Sequence, residues 1–298
     1  MNIEKAVPKY LAILRGERRP RFRSETHLDY KIEQALGMLK GCNLCERKCG
    51  ADRTESELGF CRVSGQMSVS GSYIGCNDLS LLCPSYDIFF LGCTLRCVFC
   101  QNWETSQARE PRKQISEKGL AKIVDSWSRF KIIDFVGGDP TPQLPFVLRV
   151  LSYLKKDAPV MWNSGFYMST EAMELLRGVI DIYSPSFKYG NNRCAKRLSN
   201  VENYTEVIKR NLVVAFNDSE IILRHLVMPG HAECCSKPIL RFVANNFGNK
   251  VLVHLMGQYT PEWKARNYRE ISRAIKKKEF EEVISYTEEL GLNYIVEE

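Results

Sequence analysis

The sequence predicts an α/β fold: a parallel sheet of strand–helix units, preceded by a small cysteine-rich metal-binding extension. Three observations carry this. Short apolar runs recur at 87–92, 132–136, 159–163, 179–183, 220–227, 250–256 and 293–296. Helical stripes lie between them. The cysteines crowd toward the front, with nine of the twelve between Cys42 and Cys100.

The apolar runs are short and nearly continuous, as in parallel strands buried on both faces. Val147, Val150, Leu151 and Leu154 follow the i, i+3, i+4, i+7 rule of a helix packed on one side. Tyr204, Val207 and Ile208 do the same, with Asn211 polar at the next step, and so do Phe280, Val283, Ile284 and Thr287, with Leu290 beyond. These stripes pack on a sheet and carry no chemistry. Alternating β and α units imply right-handed crossovers and a parallel sheet. Residues 1–85 read differently, with many charges and few long apolar runs, so the domain expectation is an extension over 1–85 and an α/β core over 86–298.

Bulk properties narrow the classes. At 298 residues and 44% hydrophobic content the chain is an ordinary globular protein of one large domain or two smaller ones. No apolar run approaches the roughly 18 residues of a membrane helix. The start, Met1 to Tyr10, carries Glu4, Lys5 and Lys9 and lacks the apolar core of a signal peptide. The expectation is a cytoplasmic protein without a membrane partner. In a reducing cytosol twelve cysteines point to metal ligation over a disulfide framework. Net charge is +7, and Arg15, Arg18, Arg19, Arg21 and Arg23 form a basic knot. No aromatic stacking pattern accompanies it, so a solvated surface segment is favoured over a nucleic-acid contact.

The chemistry concentrates in Phe89-Phe90-Leu91-Gly92-Cys93-Thr94-Leu95-Arg96-Cys97-Val98-Phe99-Cys100-Gln101-Asn102. Here a C-x3-C-x2-C run starts where an apolar strand ends. Cys97-x2-Cys100 alone would be an ordinary zinc half-site. Three thiolates on one loop instead suit three irons of a cubane. A full complement takes four cysteines, so one iron stays open.

Ligands of α/β sheets sit beyond the carboxyl ends of the strands. Unusual residues do follow the predicted strand ends. Gly137-Gly138-Asp139-Pro140 combines close backbone approach with an acidic acceptor, although a plain Gly-Asp-Pro turn reads the same way. Asn163-Ser164-Gly165 offers small polar groups. Lys188 emerges from a strand end and can pair with a carboxylate. Arg224, His225 and His231 follow, with His225 equally readable as a core histidine. Gln258 and Tyr259 close the last unit as lining candidates.

In the extension, Cys42-x2-Cys45-x3-Cys49-x11-Cys61 matches a closed four-cysteine site, zinc or iron–sulfur, with glycines at Gly50, Gly59 and Gly65 for tight turns. Spacing does not choose the metal; zinc is slightly preferred. Cys76 and Cys83 could stand in for a ligand of that site or remain free thiols, the latter being expected, and Cys234-Cys235 are expected to be packing or substrate-side thiols.

The cysteine loop with Phe99 and Gln101-Asn102 resembles the signature of the radical S-adenosylmethionine (SAM) enzymes. Phe187-Lys188-Tyr189, Arg224 to His231 and Gln258-Tyr259-Thr260-Pro261 narrow the likeness. They resemble proteins related to pyruvate formate-lyase activating enzyme, in the branch with a cysteine-rich N-terminal extension. The resemblance implies a partial (β/α)6 barrel of the radical SAM type, with a 4Fe–4S cluster on Cys93, Cys97 and Cys100. It implies SAM held by Gly137, Gly138, Asp139, Asn163, Lys188 and Arg224, with Asp139 standing where the family carries glutamate. The activase histidine on the last strand is replaced here, with Gln258 nearest its place. A flavodoxin or ferredoxin donor and hydrogen abstraction from a protein or peptide are further implications. Rival readings are a radical enzyme acting on a small molecule or cofactor, and a cysteine-rich nucleic-acid-binding protein.

Overall fold

The computed structural model describes residues 3–76, 79–107 and 115–297. Its strands are β1 (Val69–Gly75), β2 (Ser85–Phe90), β3 (Ile132–Gly137), β4 (Val160–Ser164), β5 (Ile182–Pro185), β6 (Glu220–Leu226), β7 (Leu252–Met256) and β8 (Asn293–Glu297). The chain divides into two compact units. One comprises Lys9–Thr94 with Asn102–Ile182; the other comprises Met1–Pro8, Leu95–Gln101 and Tyr183–Glu298.

In the first unit β2, β3 and β4 run parallel in chain order, and β1 pairs antiparallel with β2. Ile88, Phe90, Ile133, Phe135, Val160 and Trp162 are wholly buried. The Phe90 and Phe135 rings stack with centroids 6.2 Å apart. Burial of each such side chain contributes about 1.5–3 kcal/mol. The helix Leu144–Tyr153 carries the predicted stripe, with Val147, Val150 and Leu151 inside and Leu154 as its C-cap.

In the second unit β6, β7 and β8 run parallel, and Ser186, just past β5, bridges Arg224 of β6 in parallel. The helices Tyr204–Asp218 and Lys277–Glu289 bury Tyr204, Val207, Ile208, Phe280, Val283 and Thr287 as their spacing requires. Among the described residues no helix is long and apolar enough to cross a membrane.

Three expectations need correction. Strand β1 lies within 1–85, ahead of the first expected strand: Val-Ser-Gly-Ser-Tyr-Ile-Gly is half-buried with Gly71 and Tyr73 exposed, and shows no long apolar run. The fifth strand lies at 182–185, not 179–183, because the apolar Val179 and Ile180 belong to the approach and Ser184-Pro185 to the strand. Cys76 and Cys83 form a disulfide. The β1–β2 register pairs Gly75 with Ser85, so the hairpin closes with the two Cα atoms 4.5 Å apart, within bridging range.

Candidate functional site

In the first unit, the end of β2 and the end of β3 meet backbone to backbone. A Cβ on Gly137 would lie 2.2 Å from Phe90 N, and one on Gly138 would lie 2.1 Å from Gly92 O. Only glycine fits either place. Gly138 N donates to Phe90 O at 2.9 Å, and Gly92 N to Thr105 O at 3.0 Å. Gly92, at φ 82°, turns the chain out of the strand toward Cys93, which is buried.

Asp139 is also buried, and its carboxylate ties three segments together. Oδ2 accepts from Thr94 Oγ1 and Gly165 N, both at 3.1 Å, and Oδ1 accepts from Thr141 N at 2.8 Å. Burial raises its pKa, and these hydrogen bonds oppose the shift. Asn163, buried at the end of β4, donates to Asp134 Oδ2 at 3.2 Å. The first unit therefore gathers Cys93, Gly137, Gly138 and Asp139, while the amide of Asn163 is directed toward β3.

The same unit holds all four cysteines of the extension. Cys42, Cys45, Cys49 and Cys61 line one small cavity with Arg53, Phe60 and Thr94. A Cβ on Gly59 would lie 2.6 Å from Cys49 Sγ, and Gly50 turns at φ 69°. Arg53 is 0% exposed; it donates to Ser64 O at 2.8 and 3.2 Å and to Cys42 Sγ at 3.8 Å. A guanidinium cannot shed its proton in a protein, so this buried cation needs negative charge beside it. Burial raises the Cys45 and Cys61 thiols, and the Arg53 charge opposes that at Cys61.

In the second unit, Leu95–Gln101 is pinned by the helix Asn192–Ser199 and the Thr260–Lys264 turn. Arg96 N and Val98 N donate to Ser199 O and Leu198 O at 3.0 and 2.9 Å, and Lys264 N donates to Val98 O at 2.9 Å. The buried Cys97 Sγ accepts from Ser199 Oγ at 2.9 Å. Cys100 is half-buried. Phe99 packs against Tyr189 and Tyr259, centroids 6.4 and 5.9 Å away. Tyr259 proves to be a core residue, with its hydroxyl donating to Ile271 O at 2.7 Å. Gln258 is half-buried, and its carbonyl accepts from Gln101 Nε2 at 3.4 Å.

Lys188 is half-buried past β5; its backbone N donates to Tyr204 OH at 2.9 Å. Arg224 is half-buried in β6, and its carbonyl accepts from Phe187 N at 3.0 Å, which places it beside the Lys188 segment. His225 is a core histidine. Nδ1 faces Phe187 O and Nε2 faces Ser236 Oγ, each at 2.8 Å, and burial pushes its pKa down to about 4. Ser199 and Thr94 were missed by sequence reasoning, since a serine at a helix end and a threonine inside the cysteine run carry no signal of their own.

The family model of the radical SAM superfamily matches residues 88–243, more than half of the chain. The chain belongs to the radical SAM superfamily. The uncharacterized protein MJ0674 of Methanocaldococcus jannaschii is 43% identical over 275 residues, covering 90% of this chain and 80% of that protein. The pyruvate formate-lyase-activating enzyme of Staphylococcus aureus is 24% identical over 160 residues, covering 50% of this chain and 63% of the enzyme. Among solved structures, Streptococcus suis SuiB bound to precursor peptide SuiA shares the fold at a TM-score of 0.52 and 16% identity. That match covers 69% of this chain and 46% of SuiB. The expected α/β fold of the radical SAM type and the relation to pyruvate formate-lyase activating enzymes both stand, and the family implies a 4Fe–4S cluster and SAM.

Proposed function

We propose that this radical SAM enzyme abstracts hydrogen from a protein or peptide substrate, on a core over 86–298 preceded by the extension over 1–85. The observation that carries the reading is the C-x3-C-x2-C run at the end of β2, inside the family match. Three thiols and no fourth within the run suit a 4Fe–4S cluster with one open iron. When bound and reduced, that cluster supplies the electron that splits SAM into methionine and a 5′-deoxyadenosyl radical.

The chain's own residues then have distinct tasks. Cys93, Cys97 and Cys100 hold the cluster, and the Ser199 hydroxyl holds the Cys97 sulfur in place, a hydrogen bond of the kind that tunes cluster potential. Gly137 and Gly138 present carbonyls to the SAM ammonium, and Asp139 braces the Thr94 and Gly165 segments while adding negative charge. Lys188 pairs with the SAM carboxylate; Asn163 and Arg224 complete the polar lining. Cys42, Cys45, Cys49 and Cys61 hold a second, structural metal, zinc or another cluster, and their four thiolates leave the loaded site with the net negative charge that buried Arg53 requires. The activase relative, whose name gives another enzyme as its target, supports a polypeptide substrate; a flavodoxin or ferredoxin would serve as electron donor.

The test is spectroscopic. Anaerobically reconstituted, reduced protein should give an electron paramagnetic resonance signal that changes when SAM is added, and Cys97→Ala should abolish it. Uptake of zinc alone at Cys93, Cys97 and Cys100 would refute the reading. Turnover with a glycine-containing peptide should transfer substrate deuterium into 5′-deoxyadenosine; cleavage without such transfer from any polypeptide, with transfer from a small metabolite, would replace the substrate class.

A further inference from the structure

In the second unit Cys194 meets the adjacent pair Cys234-Cys235, 40 residues further along the chain and outside the sites assigned above. Their sulfurs all lie within 4.8 Å of one another. Cys194 Sγ is 4.0 Å from Cys234 Sγ, which is 3.8 Å from Cys235 Sγ. Zinc–thiolate bonds of about 2.3 Å at tetrahedral angles set neighbouring sulfurs about 3.8 Å apart. The trio thus has the spacing of sulfurs around a single ion, tighter than sulfurs on separate irons of a cubane.

We infer that Cys194, Cys234 and Cys235 form a further metal site, taking one thiophilic divalent ion such as zinc on three sulfurs with the fourth position open to solvent.

The surroundings are built for it. A Cβ on Gly190 would lie 2.6 Å from Cys235 O and 2.9 Å from Cys234 O, so glycine lets the two segments touch. Asn191 then closes the join. Its Oδ1 accepts from Cys194 N at 2.8 Å, which turns Nδ2 toward Cys234 O at 2.8 Å and Cys194 Sγ at 3.3 Å. Such outer donors orient metal ligands. Cys234 and Cys235 lie on the π-helical turn Ala232–Ser236, an irregularity common at functional sites. Cys235 is buried, Cys194 half-buried and Cys234 exposed, so an ion can enter from solvent. Zinc takes thiolates, so on binding the thiol protons of all three cysteines pass to solvent.

The inference does not depend on the proposed radical chemistry, and its test separates the two. Anaerobically purified holoprotein and its Cys234→Ser variant would be stripped with a mild chelator and titrated with zinc, then with cobalt(II) as the spectroscopic probe. Wild type should retain a single zinc ion more per chain than the variant and show a thiolate-to-cobalt charge-transfer band that the variant loses. Iron content and 5′-deoxyadenosine formation should match. Cys194→Ser, checked for folding by circular dichroism, should behave the same way. Equal zinc and equal cobalt bands in wild type and both variants would overturn the site, as would a Cys194–Cys234 disulfide in the metal-loaded protein.

Discussion

The cysteine run of 93–100 and the trio of Cys194, Cys234 and Cys235 are both three-thiol sets, and the helix Asn192–Ser199 touches both. Its first turn carries Cys194, capped by Asn191, and its last residue, Ser199, donates to Cys97. They differ in what holds them together. The run places its thiols on eight consecutive residues, so the backbone alone keeps them near. Cys194 and Cys234 are 40 residues apart and meet only because Gly190 admits the Cys234-Cys235 backbone. Contiguous ligands survive small tertiary shifts; assembled ligands do not.

That contrast predicts a graded set of outcomes. The largest belongs to a contiguous set. Cys45→Ala should cost the extension its metal and leave buried Arg53 beside an incomplete anion. Breaking a buried pair costs about 3–5 kcal/mol. Hydrogen exchange should show the segment around 42–65 opening, while iron at Cys93, Cys97 and Cys100 and zinc at the trio persist. Loss of all three metals together would mean that the sets are not independent.

Lys188→Ala comes next. A charge-assisted hydrogen bond contributes about 1.5–3 kcal/mol, so SAM affinity should fall roughly tenfold to over a hundredfold. Iron should stay unchanged, and so should the trio's zinc, even though Lys188 stands only two residues before Gly190. Calorimetric titration with SAM checks it, and unchanged affinity would remove Lys188 from the site.

The same contrast explains what could be read from sequence. The strands were legible because both faces are buried, as at Ile133, Phe135, Val160 and Trp162, which makes them continuous apolar runs. Strand β1 was not, because its Ser70, Gly71 and Ser72 are never fully covered. The C-x3-C-x2-C run and the four extension cysteines were legible as spacings. Of the trio only Cys234-Cys235 drew a reading, as packing or substrate-side thiols, since no spacing encodes a contact made through Gly190. Asp139 was legible as an acid at a strand end, but its brace to Thr94 and Gly165 lives in tertiary geometry. The Cys76–Cys83 bridge was missed because the β1–β2 hairpin that closes it was missed.

Gly190→Ala tests the assembled set directly. The added methyl meets backbone carbonyls at 2.6 and 2.9 Å, where no flexible side chain can yield. Overpacking of this kind costs about 1–3 kcal/mol. Thermal unfolding should report that loss. The cobalt charge-transfer band should weaken although all three cysteines remain; a full-strength band would show that the trio does not depend on the Gly190 contact.

Asn191→Ala should have the smallest effect, and it divides the role of one side chain in two. As the N-cap of Asn192–Ser199, Asn191 satisfies Cys194 N at 2.8 Å, and replacing such a cap by alanine costs about 1 kcal/mol. As an outer donor it also steadies Cys194 Sγ and the Cys234 carbonyl. Asn191→Asp keeps the cap acceptor but removes the amide donor and sets a negative charge against the sulfurs. Alanine should therefore lower both stability and zinc affinity, each modestly, whereas aspartate should hold stability near wild type and lower zinc affinity further. If the two substitutions move stability and zinc retention in parallel, Asn191 acts on the trio only by starting the helix. If they separate, the amide orients the ligands, and the assembled site depends on a donor that neither contiguous set requires.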